Sequence, residues 1–228
     1  METTAVTPAD AAQTPAVHAF QADVARLLHL MVHSVYSDRD IFLRELISNA
    51  ADACEKLRYE ILSDPTLIEG EPAFVIRVEI DKDKGTLAVV DNGGGMSRDD
   101  LVSALGTIAN SGTRAFLDRL AAERQDEARA GADLIGQFGI GFYSAFMVAD
   151  EVVVDTRRAG EAQGWRWRSN GKGDYSIEAR TDAEAPTRGT RVTLHLMETA
   201  KDLLDASRVE RILRDHSGGV AVPIDIVE

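Results

Sequence analysis

From Phe42 to Ile61 apolar side chains return at three- and four-residue steps, a pattern that dictates a helix which must be packed against something. Phe42, Leu46, Ala50, Ala53, Leu57 and Ile61 share one arc, because an α-helix turns about 100° per residue. Polar side chains flank that arc on both sides. On one flank Asn49, Asp52 and Lys56 fall within about 40° of Glu45; on the other stand Arg44, Ser48, Glu55 and Arg58. Periodicity alone leaves open which flank meets water and which lines a pocket. The pair Glu45 and Asn49 is chemically suggestive, since a carboxylate and an amide one turn apart can share a bound metal-phosphate.

Strand patterns follow this helix. Phe74 to Ile80 and Thr86 to Val90 are rich in branched apolar residues, and the Asp81-Lys82-Asp83-Lys84-Gly85 stretch between them predicts a hairpin turn. Further strands are predicted over Glu151 to Thr156, Trp165 to Arg168, Tyr175 to Ala179 and Thr190 to Leu196, with a last helix over Ala206 to Arg214. Upstream, Val24, Leu27, Leu28 and Met31 predict a helix from Gln21 to His33, and Ser37 to Asp40 resembles a capping box opening the long helix. Residues 1–17, rich in Ala, Thr and Pro, read as a disordered lead-in to one domain over 18–228. Strands interleaved with several helices indicate an α+β sandwich.

Charge and cysteine content narrow the function. A formal charge of -13 and a pI near 4.8 argue against dependence on duplex DNA phosphates, which are bound by clustered Lys and Arg. An anionic ligand must then be held locally. Cys54, the single cysteine, excludes an intrachain disulfide and sits on the helix as a small hydrophobe. No apolar run reaches the roughly 18 residues needed to span a bilayer, and the N-terminus has no signal-peptide pattern. A cytoplasmic protein without membrane or nucleic-acid partners is expected.

Two glycine motifs carry chemistry. Val89-Val90-Asp91-Asn92-Gly93-Gly94-Gly95-Met96 ends a strand with a carboxylate and three glycines. Glycines there would let a planar ligand approach the backbone, and an ionised Asp91 would accept from an exocyclic amino group such as that of adenine. Guanine would present a carbonyl instead, and a buried acceptor facing an acceptor is strongly disfavoured. Gly136-Gln137-Phe138-Gly139-Ile140-Gly141-Phe142-Tyr143-Ser144-Ala145-Phe146 places glycines before an apolar, helix-like run, where backbone N–H groups suit phosphate. It lacks the Gly-Lys-Ser/Thr of a Walker A loop and the spacing of a dinucleotide fingerprint.

Taken in order, Glu45 with Asn49, Asp91 with Gly95, Gly139 with Gly141, and Gly189-Thr190 make the chain resemble the heat-shock protein 90 chaperones. Phe42 to Ala53, Leu105 to Thr113 and Gly136 to Asp150 are the longest near-matches, and the likeness to the bacterial form's N-terminal nucleotide-binding domain runs from about His18 to the end. The resemblance implies the Bergerat fold, a two-layer sandwich of helices over a mainly antiparallel sheet, with ATP or ADP and Mg²⁺ bound between the layers. It implies that Glu45 orients and deprotonates the attacking water, that Asn49 coordinates Mg²⁺, and that Asp91 reads adenine. Thr190 would join the Asp91 water network; Asp52, Ala53, Gly95, Met96, Leu105 and Asn110 would lie at the nucleotide, and Gly139, Ile140, Gly141 and Phe142 would meet its phosphates. A mobile lid is implied over about 97–136.

Gly94 stands where relatives commonly have a branched aliphatic, Ala104 where some have Asn, and Asn110 where Lys is frequent. The resemblance further implies a slow ATPase in this stretch alone, a following segment that supplies an arginine, client proteins as partners, and homodimerisation outside this stretch, which by itself would be a monomer. Two other functions compete: a DNA-linked ATPase of the mismatch-repair or topoisomerase type, and a non-catalytic nucleotide sensor in which Glu45 is an ordinary carboxylate.

Overall fold

The computed structural model describes residues 16–19, 39–68, 70, 73–106 and 141–228. Helix α1, Ile41–Glu60, buries Phe42, Leu43, Leu46, Ile47, Ala50, Cys54 and Leu57. The apolar arc therefore faces inward, as its period requires. Its N-terminus differs from the sequence expectation: Ser37 lies outside the described residues, and Asp40 at the N-cap makes no side-chain cap hydrogen bond. The Asp40 carboxylate instead receives Arg208, with Nη2 2.6 Å from Oδ1, tying the start of α1 to a helix late in the chain.

Eight strands form one sheet: β1 Ala16–Ala19, β2 Ile76–Asp81, β3 Thr86–Asp91, β4 Ala149–Arg157, β5 Gly164–Ser169, β6 Asp174–Arg180, β7 Gly189–Leu196 and β8 Ile224–Val227. Their order across the sheet is β1-β6-β5-β4-β7-β3-β2-β8. All neighbours are antiparallel except β2 and β8. The hairpin expected between β2 and β3 is present, with Asp81 Oδ1 accepting from Lys84 N–H at 2.9 Å and Gly85 at φ 65°.

β1 begins at Ala16, inside the stretch whose composition suggested a disordered lead-in. A four-residue edge strand can be held by backbone pairing alone, here to Asp174–Ile177, and needs no apolar run to announce it. β8 was also missed, because four alternating residues carry little pattern. The helix expected over Gln21 to His33 lies outside the described residues.

Helix α2, Arg98–Leu105, opens with a capping box formed by Ser97 and Asp100, and helix α3, Ala206–His216, buries Val209 and Ile212. Short 3₁₀ segments run over Pro65–Ile68, Gly141–Met147 and Glu198–Leu204. The core lies between α1 and one sheet face, where Ile76, Val78, Leu87, Val89, Val152, Val154, Trp167 and Leu194 are buried. Within the stretch read as a lid, α2 packs Leu101 and Leu105 into this core, while residues 107–136 lie outside the described ones.

The other sheet face is laced with ion pairs. Arg166 binds both oxygens of the buried Asp155 at 2.7 and 2.8 Å, and Arg191 reaches Glu79 at 2.8 Å. Among the described residues no helix is long and apolar enough to cross a membrane.

Candidate functional site

Antiparallel register places residues from distant parts of the chain in rows across the sheet. Asp91 on β3 stands opposite Thr190 on β7, and Thr190 stands opposite Thr156 on β4. Two residues along, where side chains return to the same face, Val89, Val192 and Val154 form the next row. Asp91, Thr190 and the three valines make the floor of a cavity of about 260 Å³, with Thr156 buried beside it, and Leu46, Asn49, Ala50 and Ala53 of α1 make a facing wall. Gly95, Met96, Ala104, Leu105 and Phe142 close its sides.

One end of the cavity is polar and the rest apolar. Asp91 is 6% exposed, and its Oδ1 accepts from Gly93 N–H at 2.9 Å. Burial pushes its carboxyl up to about 7; the backbone hydrogen bonds from Gly93 and Thr190 oppose that rise without cancelling it. Asp91 in the ligand-free domain is thus poised near neutrality, whereas the sequence argument took it as ionised. Thr190 Oγ1 lies 3.0 Å from Thr156 Oγ1, which also receives Met96 N–H at 3.0 Å.

The three glycines after Asp91 also serve a packing purpose that the motif did not suggest, while Gly95 lines the cavity. A Cβ on Gly93 would lie 2.6 to 2.8 Å from backbone atoms of Ala53 and Cys54, and Gly94 N–H donates to Ala53 O at 3.1 Å. Gly95, at φ 61°, would drive a Cβ into the Arg157 carbonyl. What the missing side chains admit at Gly93 and Gly95 is protein backbone, so the loop can lie directly on α1 and β4. Gly94 is covered by Arg158, whose Nη1 is 3.0 Å from where a Cβ would stand and whose Nη2 binds Glu60 at 2.7 and 2.8 Å.

Glu45 lies beside the cavity. It is 8% exposed, and Arg44 grips its Oε1 through Nε at 3.2 Å and Nη2 at 2.8 Å. Its other oxygen packs on Gly141: a Cβ there would run into Oε2 and lie 3.1 Å from Cδ and 3.3 Å from Cβ of Glu45. The second glycine motif thereby makes room for the Glu45 carboxylate of α1.

Of the residues singled out from sequence, the fold gathers Asn49, Ala53, Asp91, Gly95, Met96, Leu105, Phe142 and Thr190 around the cavity and sets Glu45 against Gly141. Asp52 is exposed on α1 and is not among the lining side chains. Asn110, Gly139 and Ile140 lie outside the described residues. Sequence reasoning passed over Leu46 and Ala50 of α1 as lining residues, Val89, Val154 and Val192, which continue the parity of Asp91 and Thr190, and Thr156, which has no motif around it. Cys54 is fully buried and its thiol is pushed up to about 12, chiefly by desolvation, as fits a packing role.

The two flanks of α1 do not separate cleanly. Asn49 lines the cavity and Glu45 lies beside it, but Arg44 of the other flank holds Glu45, while Arg58 of that flank pairs with Glu55 and lies over the Phe74 ring at 5.4 Å.

Comparison with known proteins gives a consistent picture. Residues 39–193 match the family model described as histidine kinase-, DNA gyrase B-, and HSP90-like ATPase. The chain is 59% identical over 211 residues to the chaperone protein HtpG of Rhizobium meliloti, covering 92% of this chain and 33% of that protein. It is 57% identical over 223 residues to the HtpG of Azorhizobium caulinodans, covering 98% and 34%, and 58% identical over 206 residues to that of Rhodospirillum rubrum, covering 90% and 32%. The chain thus spans about a third of the length of these relatives.

Proposed function

Because this chain belongs to the histidine kinase-, DNA gyrase B-, and HSP90-like ATPase family, within its HtpG-type chaperone branch, we propose that its cavity binds ATP and ADP through adenine and that Glu45 serves hydrolysis. Its helices over a mainly antiparallel sheet are the Bergerat-type arrangement of that family. The observation that carries the proposal is the buried Asp91 at the polar end of an otherwise apolar slot, with Glu45 and Asn49 on the helix opposite.

In this reading the purine lies between the valine floor and Ala50 and Ala53, and its exocyclic amino group donates to Asp91. The phosphates extend toward Asn49 and Gly141. Among the described residues no group of three or more His, Cys, Asp or Glu could by itself hold a metal. A lone neutral amide would suit Mg²⁺ taken up with ATP; Asn49, exposed at the cavity edge, would be the side chain that holds it. Bound Mg²⁺ would supply charge neutralisation at the phosphates.

Glu45 is held by Arg44 on one oxygen and packed on Gly141 with the other, so its carboxylate is oriented before substrate arrives. A water placed between it and the terminal phosphate would give up its proton to this carboxylate as it attacks, a contribution of roughly 10² to 10⁴-fold. Gly141→Ala tests the packing. The added Cβ forces the carboxylate aside, and turnover is expected to fall by about 10² while ADP affinity changes little. An unchanged single-turnover rate would disprove the arrangement.

Asp91 also predicts a pH dependence. An amino donor binds the ionised carboxylate, and the free carboxyl titrates at about 7, so lowering pH sets proton against ligand. Calorimetric titration should show ADP binding about tenfold weaker at pH 6 than at pH 8, with GDP bound poorly at both. Adenosine, which has no phosphate to titrate, should show the same slope. A flat profile, or equal affinity for ADP and GDP, would count against the assigned pocket.

The whole protein's roles go further. Chaperoning of unfolded clients, dimerisation, a cytoplasmic location and a conformational cycle driven by nucleotide are proposed for a longer protein of which this domain is the ATPase. The family likeness and the likeness to HtpG chaperones support them.

A further inference from the structure

Thr156 is absent from every motif, yet it is completely buried and its hydroxyl is shared among three polar groups. Thr156 Oγ1 lies 2.9 Å from Gly189 O, 3.0 Å from Met96 N and 3.0 Å from Thr190 Oγ1. Two of these partners have no freedom, since a carbonyl oxygen only accepts and an amide N–H only donates. The single Thr156 proton goes to Gly189 O, and one lone pair receives Met96 N–H. What remains toward Thr190 is an acceptor, so the Thr190 hydroxyl must donate to it.

With its proton committed to Thr156, Thr190 turns only lone pairs toward the cavity. Asp91, its neighbour in the same cross-strand row, presents a carboxylate. The polar end of the cavity therefore demands a donor, and a ligand that brings a carbonyl there leaves buried acceptors facing one another.

We propose that Thr156 is a specificity-determining residue: by fixing the direction of the Thr190 hydroxyl it makes the site require a purine 6-amino group and reject a 6-oxo purine. This rests on the adenine-nucleotide reading above. Without Thr156 the Thr190 hydroxyl could rotate, donate to a water or to a 6-oxo group, and accept both kinds of base.

The test compares ADP with IDP, which carries a 6-oxo group, by calorimetry at pH 8 in the wild type, Thr156→Val, Thr156→Ser, Thr190→Val and Thr156→Val/Thr190→Val. The ADP preference should drop about tenfold in Thr156→Val and stay within about twofold of wild type in Thr156→Ser, which keeps the hydroxyl. In a Thr190→Val background the Thr156→Val change should have no effect on the preference, since the hydroxyl it directs is gone. Equal losses for ADP and IDP in Thr156→Val would overturn the proposal by leaving Thr156 a purely structural role. A wild type indifferent to ADP and IDP would instead sink the adenine reading beneath it.

Should Thr156→Val fail to fold, the ligand-free wild type decides. Proton NMR should place the Thr156 hydroxyl proton close to the Gly189 α-protons and the Thr190 hydroxyl proton close to the Met96 amide proton. A Thr156 proton directed at Thr190 would overturn the assignment.

Discussion

Asp91→Asn is expected to weaken ADP binding about 30- to 100-fold, the loss of one charge-assisted hydrogen bond in a dry site, without destabilising the ligand-free domain at pH 8. The two halves of this result have one cause. Asp91 is buried, and its carboxyl titrates at about 7 against 3.8 in the unfolded chain. A group raised in this way contributes stability that is fully present below pH 3.8 and is lost as pH rises through about 7. At pH 8 the wild type therefore holds an ionised carboxylate whose desolvation works against the fold, at a cost of order 2–4 kcal/mol.

Asn removes that charge, and its amide oxygen can still accept from Gly93 N–H. Thermal melts should show Asp91→Asn at or above the wild-type Tm at pH 8, with the advantage disappearing toward pH 4. A variant that melts well below wild type at pH 8 would show that Asp91 is a stabilising core group and not a site residue kept despite its cost.

Glu45→Gln is expected to reduce single-turnover hydrolysis by roughly 10² to 10⁴-fold with ADP and ATP affinities within about threefold of wild type. Gln preserves the volume packed on Gly141 and an oxygen for Arg44, so the shape of the site persists and only the proton acceptor is lost. The measurement is a single-turnover assay with protein in excess over ATP, followed long enough to resolve a large decrease. Equal rates for wild type and Glu45→Gln would favour a nucleotide sensor without hydrolysis. A parallel collapse of affinity would mean that Glu45 binds nucleotide and is not a base.

Much of the fold was legible because it follows local periods. The 3.6-residue recurrence from Phe42 to Leu57 produced α1 almost to its ends, and the Asp-Lys-Asp-Lys-Gly turn delivered the β2–β3 hairpin in register. The central strands carry enough branched and aromatic residues to be seen. β1 and β8 are four-residue edge strands held by backbone pairing, and no side-chain pattern of that length stands above its surroundings. Of the capping box expected over Ser37 to Asp40, Ser37 lies outside the described residues; Asp40 stands at the N-cap itself, and its carboxylate receives Arg208, 168 residues away in sequence, a partner no local pattern announces.

The site divides along the same line. By itself the sequence determined the chemical inventory: Glu45 and Asn49 one helical turn apart, Asp91 at a strand end before three glycines, and an order of motifs shared with one family. It could not say which flank of α1 faces a cavity, since both flanks are polar and the choice depends on what lies across from the helix. The family resemblance linked Thr190 to Asp91 but nothing in the sequence added Thr156, because strand register, which operates between segments far apart in the chain, puts the three in one row. The glycines make the point most sharply. Their positions are plain in the sequence, but only the packed structure shows that Gly93 and Gly95 make way for backbone and Gly141 for the Glu45 carboxylate, since close approach is a property of two surfaces and not of one.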